Sequence, residues 1–154
     1  LVVWDSLAIC EHLAERFPEA GLWPAERGAR AVARSVVAEM HSGFMALRSH
    51  MPMNLRASRP GAGRGPGVDD DIARVIAIWE ACRRDFGAGG EMLFGSFGIA
   101  DAFFAPVVSR FLTYGVAPSG AAGAYMAALW AEPAVREWAD AARAETWRVA
   151  RYET

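Results

Sequence analysis

The chain has 154 residues, of which 53% are apolar and 22% are charged, a balance typical of a globular domain with one core. Its formal net charge is -2, so it lacks the excess of clustered cations that nucleic-acid binding requires. No apolar run reaches the roughly 20 residues of a membrane span and no signal-peptide pattern is found, so we expect a cytoplasmic protein.

The beginning of the chain combines a β-prone run with a helix start. Residues 1–4 predict a short strand, Asp5-Ser6 predicts an N-cap, and an amphipathic pattern predicts a helix that Pro18 ends. Because a lone strand is not stable, we expect that an upstream part of the protein is missing from this chain. The Pro- and Gly-rich residues 18–25 are typical of a connection between two domains.

The middle of the chain predicts two helices and a loop. A long helix is predicted from Glu26 to about Ser49, because apolar residues recur there on one face. Those residues are Val32, Val36, Met40, Phe44 and Leu47. Residues 50–68 contain three Pro and four Gly and predict a loop. The three Asp at 69–71 predict the start of a second helix, which extends to Phe86.

Three further helices are predicted in the last third of the chain. One starts at Gly98 and contains Pro106, one follows Ser119 as its N-cap and extends to Trp130, and one has Pro133 in its first turn. No convincing strand is found beyond residue 17. The predicted fold class is therefore mainly α, a bundle of helices.

The Asp5-Ser6 pair is the first candidate site. A helix N-terminus presents free N–H groups and the positive end of the helix dipole, and both attract a carboxylate. Ser6 can donate its hydroxyl to the same carboxylate, and Asp5 can hold an ammonium beside it. The pair suits the zwitterionic head of a free amino acid, although an ordinary Asp/Ser N-cap explains the same residues.

Gly98 and Asp101 are the second candidate. Gly98 is the predicted N-cap of its helix, and Asp101 is the acid at the third helical position that reaches back to the N–H of the cap. This arrangement is a structural cap. A general base at Asp101 is the alternative interpretation.

The remaining chemistry-bearing residues predict no site. Cys10 and Cys82 stand apart in helical patterns, so neither a disulfide nor a CxxC site is indicated. The histidines at 12, 41 and 50 lack the paired spacing of a metal site. No nucleotide-binding or hydrolase motif is present.

The order of these motifs resembles the glutathione transferase superfamily along essentially the whole chain. The run from Asp5 to Ile9 is similar to the family's acid-or-amide-Ser-x-Ala-Ile signature, and residues 18–25 match its interdomain linker. Gly98 to Asp101 stands where the family has a Ser/Thr-x-x-Asp capping box, with Gly in place of the usual Ser or Thr.

This resemblance implies a domain organisation. Residues 1–17 are the last strand and helix of a thioredoxin-like glutathione-binding domain, 18–25 are the linker, and 26–154 are the all-helical domain. The zeta class and related bacterial enzymes have the most similar pattern, with the Ala-Asp and Pro spacing that Asp101 and Pro106 meet here. The catalytic Ser, Tyr or Cys is expected upstream, so we expect this chain alone to contain no catalytic residue and to be inactive.

The resemblance also implies a ligand and an activity. Glutathione is the expected cofactor, with its γ-glutamyl end bound by Asp5 and Ser6, and it is conjugated to a small electrophile or used to isomerise one. The family's arrangement places an apolar electrophile pocket at Met40, Phe44, Arg48, Phe104 and Arg110. Zeta enzymes have a carboxylate-binding Arg at about the position that Thr113 occupies here. Arg110, nearly one turn earlier, is included as its substitute.

Two further expectations follow from the family. The full-length protein is expected to be a homodimer with a role in detoxification, and it needs neither a metal, nor nucleic acid, nor a membrane as a partner. The alternative function is a non-catalytic binding or scaffolding module of the same architecture. A small helical regulator unrelated to glutathione is a third interpretation, which requires the N-terminus at Leu1 to be genuine.

Overall fold

The structure of the protein is a computed structural model that describes residues 1–153. Within that range it forms seven α-helices and no strand. The helices are α1 (Ser6–Arg16), α2 (Arg27–Ser42), α3 (Met45–His50), α4 (Val68–Phe86), α5 (Ile99–Tyr114), α6 (Gly120–Ala131) and α7 (Pro133–Ala144). Single 3-10 turns lie at Pro18–Ala20 and Ala150–Tyr152. This is the helical bundle that the sequence predicts.

The core is centred on an aromatic cluster around α4. Trp79 is fully buried, and its ring meets those of Phe104, Phe111 and Tyr125 at centroid distances of 5.8, 5.4 and 5.1 Å. Large rings in edge-to-face or tilted contact add a specific attraction to the burial of apolar surface. The cluster therefore joins α4, which carries Trp79, to α5 and α6.

The prediction of one helix over 26–49 is wrong, because the chain breaks at Gly43. Gly43 has an extended backbone conformation and Phe44 lies in the left-handed region at φ 59°. A Cβ at Gly43 would lie 2.6 Å from the carbonyl oxygen of Glu39, so only glycine fits there without a shift. Arg48 donates to the Gly43 carbonyl at 2.9 Å, which satisfies an acceptor at the end of α2.

The start of α3 is stabilised from another helix. Asp71 in the first turn of α4 accepts a hydrogen bond from the N–H of Leu47 at 2.9 Å. Phe44 stands at the N-cap of α3 and offers no capping side chain. The acidic first turn predicted at 69–71 therefore accepts a hydrogen bond from the start of a neighbouring helix, and its negative charge favours the N-terminus of its own helix.

The expected strand over residues 1–4 is absent from the structure. A strand requires a neighbouring strand for its hydrogen bonds, and none occurs among residues 1–153. Leu1, Val2 and Trp4 are exposed instead. The structure therefore confirms the predicted helix after Asp5 but not the predicted strand before it.

Helix α1 lies against α2 with part of its apolar surface uncovered. Arg34 donates to both carboxylate oxygens of Glu11, at 3.0 and 2.9 Å, and so links the two helices. The side chains of α1 that pack on the core are Leu7, Cys10 and Ala14. The large apolar side chains left exposed at 39–42% are Ile9, Leu13 and Phe17.

The connection between α3 and α4 is the loop that the sequence predicts. It is tied to the end of α5, because the N–H of Arg59 donates to the Thr113 carbonyl at 2.7 Å and that of Gly61 to the Tyr114 carbonyl at 2.9 Å. Helix α6 starts after Ser119 as predicted, but the Ser119 side chain makes no capping hydrogen bond.

Candidate functional site

The first residues of α1 carry the candidate site. Asp5 is the N-cap, and its φ of 75° with ψ of 129° is a backbone conformation that residues with a side chain rarely adopt. Its Oδ1 accepts hydrogen bonds from the N–H of Leu7 at 2.9 Å and of Ala8 at 3.4 Å. A non-glycine residue held in such a conformation is frequently found where a ligand binds.

The other carboxylate oxygen of Asp5 faces α2. Oδ2 lies 2.9 Å from Nε2 of His41, in the last turn of that helix. The His41 ring in turn meets Phe103 of α5 edge-on, with the ring centroids 6.0 Å apart. Residues of α2 and α5 therefore help to orient the carboxylate at the start of α1.

Sequence reasoning missed the contribution of His41. Its spacing shows only a polar residue within a helical pattern, and its partner Asp5 is far away along the chain. The contact exists because α1 lies against α2, which hydrophobic periodicity does not specify. The sequence contains no signal for this contact, because the helix predicted to about Ser49 places His41 in its interior.

The surroundings of Asp5 favour its charged form. Burial acts to raise the pKa of Asp5, but the hydrogen bonds from the N–H groups of Ala8 and Leu7 and the contact with His41 outweigh it. The pKa of Asp5 is therefore lowered, and the carboxylate is an anion near neutral pH. A cationic group of a ligand can pair with it.

Ser6 supplies donors beside this anion. The N–H groups of Leu7 and Ala8 are taken by Asp5, and that of Ile9 donates to the Asp5 carbonyl at 2.9 Å. Among residues 1–153, none accepts a hydrogen bond from the N–H or the hydroxyl of the exposed Ser6. The helix start therefore offers two donors and a carboxylate on adjacent residues.

The start of α5 is built differently. The Asp101 side chain is 1% exposed, and it accepts hydrogen bonds from the N–H of Gly98 at 2.9 Å and of Leu93 at 3.1 Å. Burial raises the pKa of Asp101, and these two hydrogen bonds offset the rise only in part. Both carboxylate oxygens serve the backbone, so the geometry favours a cap over a general base.

A steric constraint explains why the N-cap residue of α5 is a glycine. The N–H of Ile99 donates to the Leu22 carbonyl at 3.0 Å, which brings the segment after α1 close to this helix start. A Cβ on Gly98 would lie 2.9 Å from the same carbonyl oxygen. Leu22 thus satisfies one free N–H of α5 and excludes the Ser or Thr that the capping pattern prefers.

Comparison with known proteins bears on the fold. No protein-family model and no curated protein matches the sequence. The chain is similar to the crystal structure of a glutathione transferase homologue from Burkholderia gl BGR1 with bound glutathione, at 26% identity and a TM-score of 0.65. The fold is that of a glutathione transferase helical domain. The match covers 94% of this chain and 69% of the homologue, whose remaining residues lie outside it.

The residues predicted for an electrophile pocket differ in their burial and in their hydrogen bonds. Three of them are buried in the core, with exposures of 3%, 7% and 0%: Met40, Phe44 and Phe104. Arg48 donates to the Met40 carbonyl at 2.5 Å and to the Gly43 carbonyl, and Arg110 donates to those of Met51 and Pro106. Burial lowers the pKa of Arg110 to about 10, with a contribution from Arg48. Their assignment to a pocket stays a prediction.

An apolar groove lies between α5 and α7. It has a volume of about 510 Å³. Its lining residues are Met53, Phe97, Ala102, Ala105, Pro106, Ala134, Val135 and Trp138. Pro106 is three residues from Phe103, the ring that contacts His41, and residues at that spacing are neighbours on a helix surface. Along α5, Pro106 in the groove is therefore about one helical turn from Phe103.

The cysteines are unsuited to nucleophilic chemistry. Burial, with the negative charges of Asp101 and Asp85, raises the pKa of Cys82 to about 11. Burial and the charge of Glu11 likewise raise the pKa of Cys10. Both thiols are therefore protonated near neutral pH.

Neither metal binding nor membrane crossing finds support in the part of the chain that the structure describes. There, no group of three or more His, Cys, Asp or Glu side chains could hold a metal ion. Over the same residues, none of the helices combines the length and the apolar character that crossing a membrane requires.

Proposed function

We propose that the protein is a glutathione transferase in which Asp5 and Ser6 bind the γ-glutamyl end of glutathione. The observation that carries this proposal is the start of α1, where a charged Asp5 in a rare backbone conformation stands beside the free donors of Ser6. The similar structure of a glutathione transferase homologue, which contains glutathione, supports the choice of ligand.

The γ-glutamyl head group matches the site in both of its charges. Its α-carboxylate accepts from the N–H and the hydroxyl of Ser6, at the positive end of the α1 dipole. Its α-ammonium pairs with the carboxylate of Asp5. An ordinary N-cap requires only the hydrogen bonds to Leu7 and Ala8, so the positive φ and the exposed hydroxyl favour a ligand site.

The proposed reaction uses glutathione as a thiolate nucleophile on a small electrophile, or as the cofactor of an isomerisation. The thiol of glutathione needs a lowered pKa to act at neutral pH, and a hydroxyl donor or a neighbouring dipole lowers it by stabilising the thiolate. Cys10 and Cys82 are unsuitable because burial raises their pKa. In agreement with what the family resemblance implies, we place no catalytic residue in this chain.

The electrophile is assigned to the helical domain. Of the five predicted residues, only Arg48 and Arg110 are partly exposed, because the other three lie in the core. The groove lined by Pro106 and Trp138 offers an apolar surface of suitable size without any opening of the core. Loss of activity in Trp138→Ala with Arg110→Gln unchanged assigns the electrophile to the groove, and the reverse result assigns it to the predicted residues.

The proposal includes a cytoplasmic homodimer. A dimer interface would cover exposed apolar side chains, such as Leu13 on α1 and Phe17 just after it, that are costly to leave in water. Size-exclusion chromatography with light scattering on the protein expressed from its whole reading frame measures its mass. Elution as a monomer at micromolar concentration contradicts this part of the proposal.

The main test is glutathione binding by the protein expressed from its whole reading frame. Ser6→Ala removes the proposed hydroxyl donor, and we expect about a tenfold loss of affinity by calorimetry. Ser35→Ala is the matched control, because the Ser35 hydroxyl donates to the Ala31 carbonyl on the exposed face of α2. We expect its affinity to stay within about twofold of the wild type.

Each outcome of this test has a distinct meaning. Binding together with turnover of a general electrophile such as chlorodinitrobenzene supports the transferase. Binding without turnover of a panel of electrophiles supports the alternative, a non-catalytic binding or scaffolding module of the same fold. Absence of glutathione binding by the wild type rejects the assignment of Asp5 and Ser6.

A further inference from the structure

His41 contacts Asp5 of the proposed site, but the proposed function gives His41 no role. Of the side chains that the structure describes, that of His41 is the one outside α1 that contacts the Asp5 carboxylate, at 2.9 Å from Oδ2. The His41 ring is 34% exposed and lies edge-on against Phe103. The imidazole therefore has a defined position on the helical bundle, and it connects that bundle to the start of α1.

We propose that His41 is a positioning residue, which holds the Asp5 carboxylate in the orientation that receives the α-ammonium of a γ-glutamyl ligand. This inference rests on the proposed function and assigns one further residue to it. His41 itself does not touch the ligand. It acts through Asp5.

The geometry explains why Asp5 needs such a residue. The two N–H groups of α1 hold only Oδ1, so a rotation of the side chain about that oxygen would carry Oδ2 away from α2. The contact with His41 fixes the second oxygen and, with it, the plane of the carboxylate. A carboxylate held at both oxygens also supports the uncommon backbone conformation of Asp5 at φ 75°.

Imidazole suits this role better than a permanently charged side chain. A neutral imidazole can donate from Nε2 to the carboxylate without cancelling its charge. A carboxylate oxygen accepts two hydrogen bonds, so Oδ2 can receive the imidazole and an ammonium together. Arg or Lys at the same place would compete with the ligand's ammonium for the negative charge.

The test compares two ligands in three variants of the protein expressed from its whole reading frame. The ligands are glutathione and glutaryl-cysteinyl-glycine, which lacks only the α-ammonium. His41→Leu removes the donor, His41→Gln retains an N–H donor at a similar reach, and Glu11→Gln weakens the other link between α1 and α2, the pair with Arg34. Calorimetry gives the affinity of each pair.

The expected pattern separates positioning from docking of the helix. In His41→Leu we expect about a tenfold loss of affinity for glutathione and a loss within about twofold for the analogue, because only the ammonium uses Asp5. We expect His41→Gln to recover most of the glutathione affinity. We expect Glu11→Gln to bind both ligands like the wild type.

Four results would overturn the inference. In His41→Leu, these are an unchanged affinity for glutathione or an equal loss of affinity for glutathione and for the analogue. In His41→Gln, it is a glutathione affinity as low as that of His41→Leu. In Glu11→Gln, it is a loss of glutathione affinity similar to that of His41→Leu, which would show that the docking of α1 on α2 determines binding. Wild-type protein that binds neither ligand rejects the proposed function as well. Wild-type binding with unchanged variants rejects His41 alone.

Discussion

The starts of α1 and α5 are both capped by an aspartate, but the two carboxylates are used in different ways. Asp101 is 1% exposed and bonds to two backbone N–H groups within its own turn and the preceding segment. Asp5 has 46% of its side chain exposed, a positive φ, and a partner on another helix. One carboxylate completes a buried helix start, and the other remains accessible to a ligand.

The pKa values of the two aspartates are shifted in opposite directions. Burial dominates at Asp101 and raises its pKa, whereas hydrogen bonds and His41 outweigh burial at Asp5 and lower its pKa. A capping pattern in a sequence therefore does not by itself distinguish a structural acid from a ligand-binding one. Exposure and the identity of the partners make that distinction.

The largest expected effect is that of Asp101→Ala on stability. The change leaves the N–H groups of Gly98 and Leu93 without their acceptor in a buried region, so we expect a loss of about 3 kcal/mol in the free energy of unfolding. Urea denaturation followed by circular dichroism measures it. A loss below about 1 kcal/mol would contradict the view of Asp101 as a structural cap.

The second largest expected effect is that of Gly98→Ser on the free energy of unfolding. Gly98→Ser adds a preferred capping hydroxyl, but its Cβ meets the Leu22 carbonyl oxygen at 2.9 Å. We expect the steric conflict to dominate and to lower the free energy of unfolding by about 1–2 kcal/mol. A stabilised variant in the same denaturation experiment would show that the Leu22 segment moves aside easily.

Asp5→Asn is expected to change binding more than stability. Asn is also a good N-cap and tolerates a positive φ, so the free energy of unfolding stays within about 0.5 kcal/mol of the wild type. The loss of charge removes the partner of the ligand's ammonium, and we expect about a tenfold loss of glutathione affinity. Equal affinity in calorimetry would mean that Asp5 is only a cap.

The smallest effect is the pH dependence of stability, which has opposite signs at the two sites. The contribution of Asp5, whose folded-state pKa is lowered, is present above its unfolded-state pKa and is lost as the pH falls through the folded-state value. The contribution of Asp101, whose folded-state pKa is raised, is present below its unfolded-state pKa and is lost as the pH rises through the folded-state value.

Urea denaturation across roughly pH 3 to 7 checks these signs. The stability of the wild type relative to Asp5→Asn should decrease toward acid. The stability of the wild type relative to Asp101→Asn should decrease toward neutral pH. Parallel pH profiles for the two variants would show that the sites do not differ as described.

The sequence by itself determined where most helices begin and end. Asp5 with Ser6, the three Asp at 69–71 and Pro133 are local signals, and the structure starts a helix at each of these places. Local hydrogen bonds and fixed backbone angles act over one turn, so their signals can be read directly from neighbouring residues. The order of these signals also indicated the glutathione transferase fold, and the similar solved structure supports that interpretation.

Only the tertiary structure decided the break at Gly43, the cap that Asp71 gives to α3, and the contact between His41 and Asp5. The apolar stripe of residues 26–49 continues through the break, so periodicity gave no sign of it. Each of these features depends on how one helix packs against another. Packing brings together side chains that are distant along the chain, and the period of a single helix carries no information about its neighbour.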